Sequence, residues 1–175
     1  GLRSAYVSAT AFYPLWAGRA TPRPARAVAA AALPELERLG GLAATAEASR
    51  GPLTAERPER QWDYPNGWAP HQVLAWDGLR RYGLEEDAAR LTYRWLWAVA
   101  KNARDYNGTV PEKLDVEKAS HKVFAEYGNV GTKFDYITKE GFGWMNASFQ
   151  LGLRDLPPRL QAPLRALTPP DRLFR

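Results

Sequence analysis

The chain has 175 residues, of which 45% are hydrophobic and 25% charged, a composition typical of one folded domain with a sizeable core. These proportions exclude a disordered chain, and no apolar run approaches the roughly 18 to 20 residues that a transmembrane helix needs. The absence of cysteine excludes disulfides, thiolate metal ligands and thiol nucleophiles, and it favours a reducing compartment such as the cytoplasm.

The net charge of +5 does not indicate a nucleic-acid partner. Much of the excess arginine lies in residues 19–38 and 154–175, scattered among alanine, leucine and proline rather than clustered with aromatic residues. We therefore expect neither nucleic acid nor a membrane as a partner. Because the sequence starts at Gly1 without a methionine or a signal-like leader, we expect a processed chain or a fragment. A periplasmic or secreted location would require a leader upstream.

The first two predicted helices are bounded by proline and glycine. Residues 24–39 begin with a proline suited to a first helical turn and stop at a glycine pair, and Pro34 is expected to split or kink this helix. Residues 70–81 also begin with a proline, and Gly83 follows their last apolar positions. Both segments have the length of ordinary globular helices.

The third and fourth predicted helices complete an all-α fold. Residues 85–102 carry acidic side chains in the first turn and apolar side chains on two faces, which predicts a helix buried on both sides. Residues 142–153 form the last predicted helix, and a proline-rich tail at 154–175 is expected to wrap the surface. No run of alternating β-branched residues is long enough to predict a sheet.

The functional site is expected in the long loops at residues 40–69 and 103–141. The segment QWDYPNGWAP at residues 61–70 combines aromatic and polar side chains, and its prolines and glycine stiffen it. Sugars need this combination, because a pyranose has apolar faces that lie on rings and hydroxyls that need hydrogen-bond partners. Core packing is the alternative for any single tryptophan. The candidate sugar contacts are Trp62, Asp63, Tyr64, Asn66 and Trp68.

The second loop contributes carboxyl groups, at Glu112, Glu126 and Glu140. Glycoside hydrolysis uses two carboxyl groups, one to protonate the leaving oxygen and one to activate water or attack carbon. The alternative for each glutamate is a solvated surface position. His71 and His121 lie far apart without acids at ligand spacing, so we expect no metal site and no cofactor, and two structural histidines with satisfied hydrogen bonds.

Three segments resemble the α,α-trehalase family of inverting glycoside hydrolases. The ten residues at 61–70 match the strongest motif of that family, FYPLW at 12–16 resembles the segment that precedes it, and GFGWMNAS at 141–148 resembles the motif GFGWTNG. The resemblance implies part of an (α/α)6 toroid of six helical hairpins. It also implies hydrolysis of α,α-trehalose to two glucose molecules with inversion. Residues 1–153 would form the C-terminal portion of the toroid, and 154–175 the tail.

The same resemblance implies roles for individual residues. The family's base lies in an EKY motif, which EKLDV at 112–116 matches apart from leucine for tyrosine, so Glu112 is implied as the general base. Glu126, in the sequence EYG, is implied as a sugar contact and is the alternative base. The family's general acid, an aspartate, lies upstream of the segment that this chain covers. The full set of implied binding residues is Gln61, Trp62, Asp63, Asn66, Trp68, Glu126, Phe142 and Trp144.

Two other functions remain open at this point. Without an acid the chain would be inactive alone, which leaves a non-catalytic remnant or a sugar-binding fragment as one alternative. The segment that follows Glu126 departs from the family pattern, and this motivates an inverting glycosidase acting on another α-glucoside as the second alternative.

Overall fold

A computed structural model describes residues 5–123, 125–126, 133–134 and 143–174. The described part is mostly helical, so the predicted all-α class is confirmed. Its helices are a 3-10 helix at Ala9–Phe12, α1 at Tyr13–Trp16, α2 at Pro22–Leu36, α3 at Glu47–Arg50, α4 at Ala69–Arg81, α5 at Glu85–Asp105, α6 at Gly143–Asp155, α7 at Pro158–Arg165 and α8 at Pro170–Leu173.

The described strands are short and form three antiparallel pairs, which the sequence did not predict. Each strand has 2 residues, too few for a continuous sheet, so each pair joins two short backbone segments by local hydrogen bonds. The pairs are β1, Glu37–Arg38, with β2, Gly41–Leu42; β3, Asn66–Gly67, with β4, Leu114–Asp115; and β5, Ala125–Glu126, with β6, Lys133–Phe134.

The helices α4 and α5 form a hairpin at the centre of the fold. Pro70 lies in the first turn of α4, as expected, and Gly83 adopts a φ of 72° in the turn that joins the two helices. Three acidic side chains occupy the first turn of α5, where the helix dipole favours them. The predicted helices are therefore confirmed, with α4 beginning one residue earlier, at Ala69, and α5 continuing to Asp105.

Helix α5 is buried on both sides, as its two apolar faces predicted. Trp95 is fully buried, and its indole N–H donates to the hydroxyl of Ser148 on α6 at 2.9 Å. Tyr93 is also fully buried, and its hydroxyl donates to the carbonyl of Thr168, between α7 and α8, at 2.7 Å. Burying these large rings is favourable because each polar tip finds a partner. The hairpin thus packs against α6 and against the C-terminal segment.

Helix α2 ends earlier than the sequence suggested. The predicted bounds of 24–39 and the predicted split at Pro34 are wrong, because α2 starts at Pro22, continues past this proline and ends at Leu36. The predicted kink stays a prediction. Pro34 lies in the last turn and removes one backbone hydrogen bond, the one that its N–H would have donated to the carbonyl four residues earlier. The next residue, Glu37, is extended and pairs with β2, and its carboxylate accepts from the guanidinium of Arg90 at 2.8 Å. Strand pairing and this ion pair replace the predicted last turn.

The proline-rich C-terminal segment is helical in part and packs on α5. Pro158 and Pro170 lie in the first turns of α7 and α8, where a missing N–H costs nothing. Leu160 and Leu164 of α7 are buried in the main core. No helix within the described ranges is long and apolar enough to cross a membrane.

Candidate functional site

Strand pairing brings the two predicted site loops together. β3 lies inside the QWDYPNGWAP segment, and β4 lies two residues after Glu112. Their register places Asn66 opposite Asp115 and Gly67 opposite Leu114. Only glycine fits at position 67, since a Cβ there would collide with the side chain of Val116 and lie 2.9 Å from the carbonyl oxygen of Leu42. The close approach of these backbones fixes Glu112 beside the aromatic loop.

Two tryptophans of the loop stack on each other but differ in exposure. The rings of Trp62 and Trp68 lie 3.8 Å apart at an angle of 8°. Trp62 is 46% exposed, whereas Trp68 is 1% exposed and its indole N–H donates to the carbonyl of Gln61 at 2.8 Å. Trp62 is therefore the indole that a ligand can reach, and Trp68 supports it from below. The half-buried Gln61 acts here through its backbone.

Glu112 is held by contacts on both its side chain and its backbone. The ammonium of Lys113 lies 2.9 Å from Oε2 of Glu112 and 4.9 Å from the ring centroid of Trp68. The indole N–H of Trp144 donates to the Glu112 carbonyl at 2.9 Å, and the Trp144 ring meets Trp68 edge-on with centroids 5.6 Å apart. The structure thus joins Trp62, Trp68, Trp144, Lys113 and Glu112 in one cluster, called here the tryptophan–glutamate cluster.

The charged pair in this cluster is largely removed from solvent. The side chain of Lys113 is 1% exposed and that of Glu112 is 14% exposed. Burial lowers the pKa of Lys113, and the hydrogen bond and charge of Glu112 act in the opposite direction. A buried ammonium is tolerated only when it is paired, so Lys113 ties the carboxylate to the aromatic stack. The partly accessible carboxylate is linked through Lys113 and Trp68 to the exposed indole of Trp62, so the cluster contains a group that can accept a proton from water and a ring that can bind a sugar face.

Asp63 and Asn66 make contacts within the protein. The carboxylate of Asp63, 9% exposed, accepts from the hydroxyl of Tyr6 at 3.1 Å. The side-chain amide of Asn66, fully buried, donates to the carbonyl of Arg60 at 3.1 Å. Both side chains hold the loop in shape. Their sugar contacts stay a prediction.

Of the other predicted residues, Glu126 is described only as part of a strand, and Glu140 and Phe142 are not described. Glu126 lies in β5, which pairs with β6, and its role as sugar contact or alternative base stays a prediction. Phe142 lies outside the described residues, as does Glu140. The described cluster therefore includes Glu112 and not the second candidate base.

Sequence reasoning missed Lys113, and it assigned His71 only a structural role. Lys113 stands next to Glu112 in the EKLDV motif, and that adjacency was the available signal. His71 lies on α4, is 7% exposed, and its ring centroid is 5.6 Å from that of Trp62. Burial lowers the pKa of His71 to about 4, so the imidazole is neutral near neutral pH.

The expectation of two satisfied histidines is half correct. For His71 it is wrong, because Nδ1 is buried and has no hydrogen-bond partner among the described residues. For His121 it is confirmed, because Nδ1 lies 3.0 Å from Oδ1 of Asn102. Spacing along the chain carries no information about whether a buried ring nitrogen finds a partner.

Comparisons with known proteins agree with the sequence motifs. The family model described as Trehalase matches residues 2–157. The cytosolic neutral trehalase of Saccharomyces cerevisiae is 53% identical over 174 residues, which are 98% of this chain and 23% of that relative. A probable trehalase of the same yeast is 52% identical over 98% of this chain and 22% of its own length. The chain therefore spans 22 to 23% of the length of these curated relatives.

A solved structure gives the same family. Neutral trehalase Nth1 from Saccharomyces cerevisiae superposes with a TM-score of 0.82 and 48% sequence identity, and the match covers 98% of this chain and 28% of that one. That structure has an (α/α)6 barrel, so the predicted fold, a part of a six-hairpin toroid, is confirmed. The resemblance carried by the three sequence segments is confirmed as well. The chain belongs to the trehalase family.

Proposed function

We propose that this chain is the part of a trehalase catalytic domain that supplies the general base and one aromatic sugar platform. The reaction is hydrolysis of α,α-trehalose to two glucose molecules with inversion. The observation that carries the proposal is the carboxylate of Glu112, held 2.9 Å from the Lys113 ammonium and joined through it to the Trp62–Trp68 stack. A chain about half identical to trehalases supports trehalose as the substrate.

In the proposed reaction Glu112 takes a proton from water, and the water oxygen attacks the anomeric carbon. The bond from that carbon to the bridging oxygen breaks, and a general acid protonates the bridging oxygen as it leaves with the second glucose. We assign no acid within these 175 residues. The acid is proposed to come from a segment outside them, in keeping with the greater length of the matched relatives.

The proposed binding roles follow from exposure. Trp62 is the platform for a glucose face, because its ring is the accessible member of the stack. Trp68 and Trp144 support it from the buried side. Asp63 and Asn66 are proposed to act by holding the loop, and only Asp63, which is 9% exposed, retains an accessible edge for a direct sugar contact. Glu126 and Phe142 are proposed to complete the sugar site from the second loop, as the family resemblance implies. The proposed division of the chain places the toroid at 1–153 and the tail at 154–175.

Glucose release tests the function. The full polypeptide that carries this sequence is incubated with trehalose, and in parallel with maltose and isomaltose as other α-glucosides. Glucose from trehalose alone is the expected result. Glucose from maltose or isomaltose but not from trehalose would identify a glycosidase that acts on another α-glucoside. Trehalose binding without glucose release would identify a sugar-binding remnant. The 175-residue chain is assayed alongside, and turnover by it alone would contradict an acid from outside these residues.

A further inference from the structure

The imidazole of His71 lies beside the proposed sugar platform and packs against the rings of Trp62 and Tyr13. Its ring centroid is 5.6 Å from that of Trp62, with 62° between the planes, and 6.1 Å from that of Tyr13 on α1. Among the described residues, its buried Nδ1 has no partner. An unpaired buried polar atom carries a free-energy cost, so the position calls for a compensating role.

The start of α4 explains how His71 reaches Trp62. Trp68 is the N-cap residue of α4, and His71 follows three positions later, so both side chains lie on one side of the helix start. Trp68 stacks on Trp62 with parallel rings, whereas His71 meets it at a steep angle. Two rings on a rigid helix therefore hold one ring that belongs to a loop.

Trp62 needs such support because its side chain is far from buried. It remains 46% exposed, and a single parallel stack allows an indole to slide or to rotate in its own plane. A second ring at an angle removes that freedom. Since binding costs less when the contact surface is already ordered, an indole fixed in this way binds a flat apolar ligand face more tightly than a mobile one.

We propose that His71 is a positioning residue that fixes the orientation of the Trp62 indole, together with Trp68 on the same helix start. The effect on catalysis rests on the proposed function, and the effect on the ring does not. Tyr13, on α1, supports His71 in turn, since its ring packs against the imidazole. Because burial lowers the pKa of His71, the imidazole beside Trp62 is uncharged under ordinary assay conditions near neutral pH.

Two substitutions separate the ring from the rest of the side chain. His71→Phe keeps a planar ring and removes both nitrogens, whereas His71→Leu keeps apolar bulk in the helix and removes the ring. If the leucine variant does not fold, as judged by circular dichroism, His71→Gln replaces it. The parent and each variant are also made with the additional substitution Trp62→Phe. Subtracting the emission spectrum of each protein with Trp62→Phe from that of the same protein without it isolates the fluorescence of Trp62.

The first measurement needs neither substrate nor activity. Acrylamide quenching of the Trp62 difference emission is expected to rise in His71→Leu and to stay at the parent value in His71→Phe. Equal quenching in the parent and in His71→Leu would overturn the proposal, whether or not the protein turns over trehalose.

The second measurement uses trehalose kinetics in the full polypeptide. His71→Leu is expected to raise KM about 3- to 10-fold with little change in kcat, since an aromatic contact of this kind is lost from binding rather than from chemistry. His71→Phe is expected to restore the parent KM. A phenylalanine variant with normal quenching and a KM as high as that of the leucine variant would overturn positioning in favour of direct contact by a ring nitrogen. An inactive parent would contradict the proposed function alone, and the quenching result would still decide the role of His71.

Discussion

The indole of Trp62 lies parallel to that of Trp68, with ring centroids 3.8 Å apart and 8° between the planes. The two residues belong to the same ten-residue motif, yet the first is 46% exposed and the second 1%. One motif therefore supplies both the accessible ring and the buried ring that supports it. The proposed sugar platform depends on this difference in exposure.

Replacing Trp62 with alanine is expected to weaken trehalose binding. The loss of one stacking surface should raise KM about tenfold with a smaller change in kcat, and Trp62→Phe should recover part of the affinity. Trp16 offers a matched control, because it is also 46% exposed and lies on α1. Steady-state kinetics on Trp62→Ala and Trp16→Ala check the prediction, and equal effects of the two variants would contradict it.

Glu112→Gln is expected to abolish turnover while leaving trehalose bound. Loss of a general base lowers kcat by about 10²- to 10⁴-fold, and glutamine keeps the shape and hydrogen-bonding capacity of the side chain. Single-turnover kinetics and calorimetric titration with trehalose measure the two effects. Glu86→Gln serves as the control, since that side chain is 81% exposed and pairs only with Arg159 at the surface among the described residues.

The alternative base gives a different outcome. If Glu112→Gln retains turnover and Glu126→Gln loses it, the base is Glu126. The two variants must therefore be measured under the same conditions.

Lys113→Met is expected to lower kcat more than it changes KM. Methionine keeps the packing against Trp68 but removes the ammonium that holds the Glu112 carboxylate, and a small misplacement of a reacting group costs about 10- to 100-fold in rate. The control is Lys101→Met, which breaks a pair with Asp105 at the surface of α5, where such pairs contribute little. A normal kcat for Lys113→Met would show that the ion pair does not position the base.

The buried His71 predicts a loss of stability in acid. Its pKa falls from 6.5 to about 4 on folding, so above pH 6.5 neither the folded nor the unfolded chain carries this proton. As the pH falls from 6.5 to about 4, the unfolded chain takes up the proton and the folded chain does not. The free energy of unfolding should then decrease by up to about 3 kcal/mol from this group. Urea unfolding of the parent and of His71→Phe at neutral pH and near pH 4 checks this. Parallel pH dependence in the two proteins would contradict it.

Much of the helical framework could be predicted because local signals and burial agree. Pro70 and Gly83 bound α4, and the acidic first turn of α5 precedes two apolar faces that the fold buries on both sides. The end of α2 could not be predicted from helix signals alone, since Glu37 leaves the helix to pair with the nearby β2 and with Arg90, which lies 53 positions away in sequence. The two-residue strands have the same cause, because loop pairing leaves no periodic pattern.

The site was predictable as a set of loops and residue types rather than as a geometry. The motif indicated aromatic rings with nearby polar groups, but only the fold shows that Trp68 is buried and Trp62 is not. The adjacency of Lys113 and Glu112 was visible in the sequence, but only the fold shows that the two side chains pair at 2.9 Å and that the lysine is buried. The need for glycine at position 67 could not be predicted either, since it arises from the close approach of Val116 and Leu42, which only the fold shows.

The stereochemistry of glucose release tests the central claim most directly. Proton NMR follows the full polypeptide with trehalose during the first turnovers, before the released anomers interconvert. Inversion at one anomeric carbon, with water activated by Glu112, predicts equal initial amounts of α- and β-glucose. Neither anomer should appear with Glu112→Gln. Release of α-glucose alone, or an unchanged initial rate in that variant, would contradict the proposed mechanism.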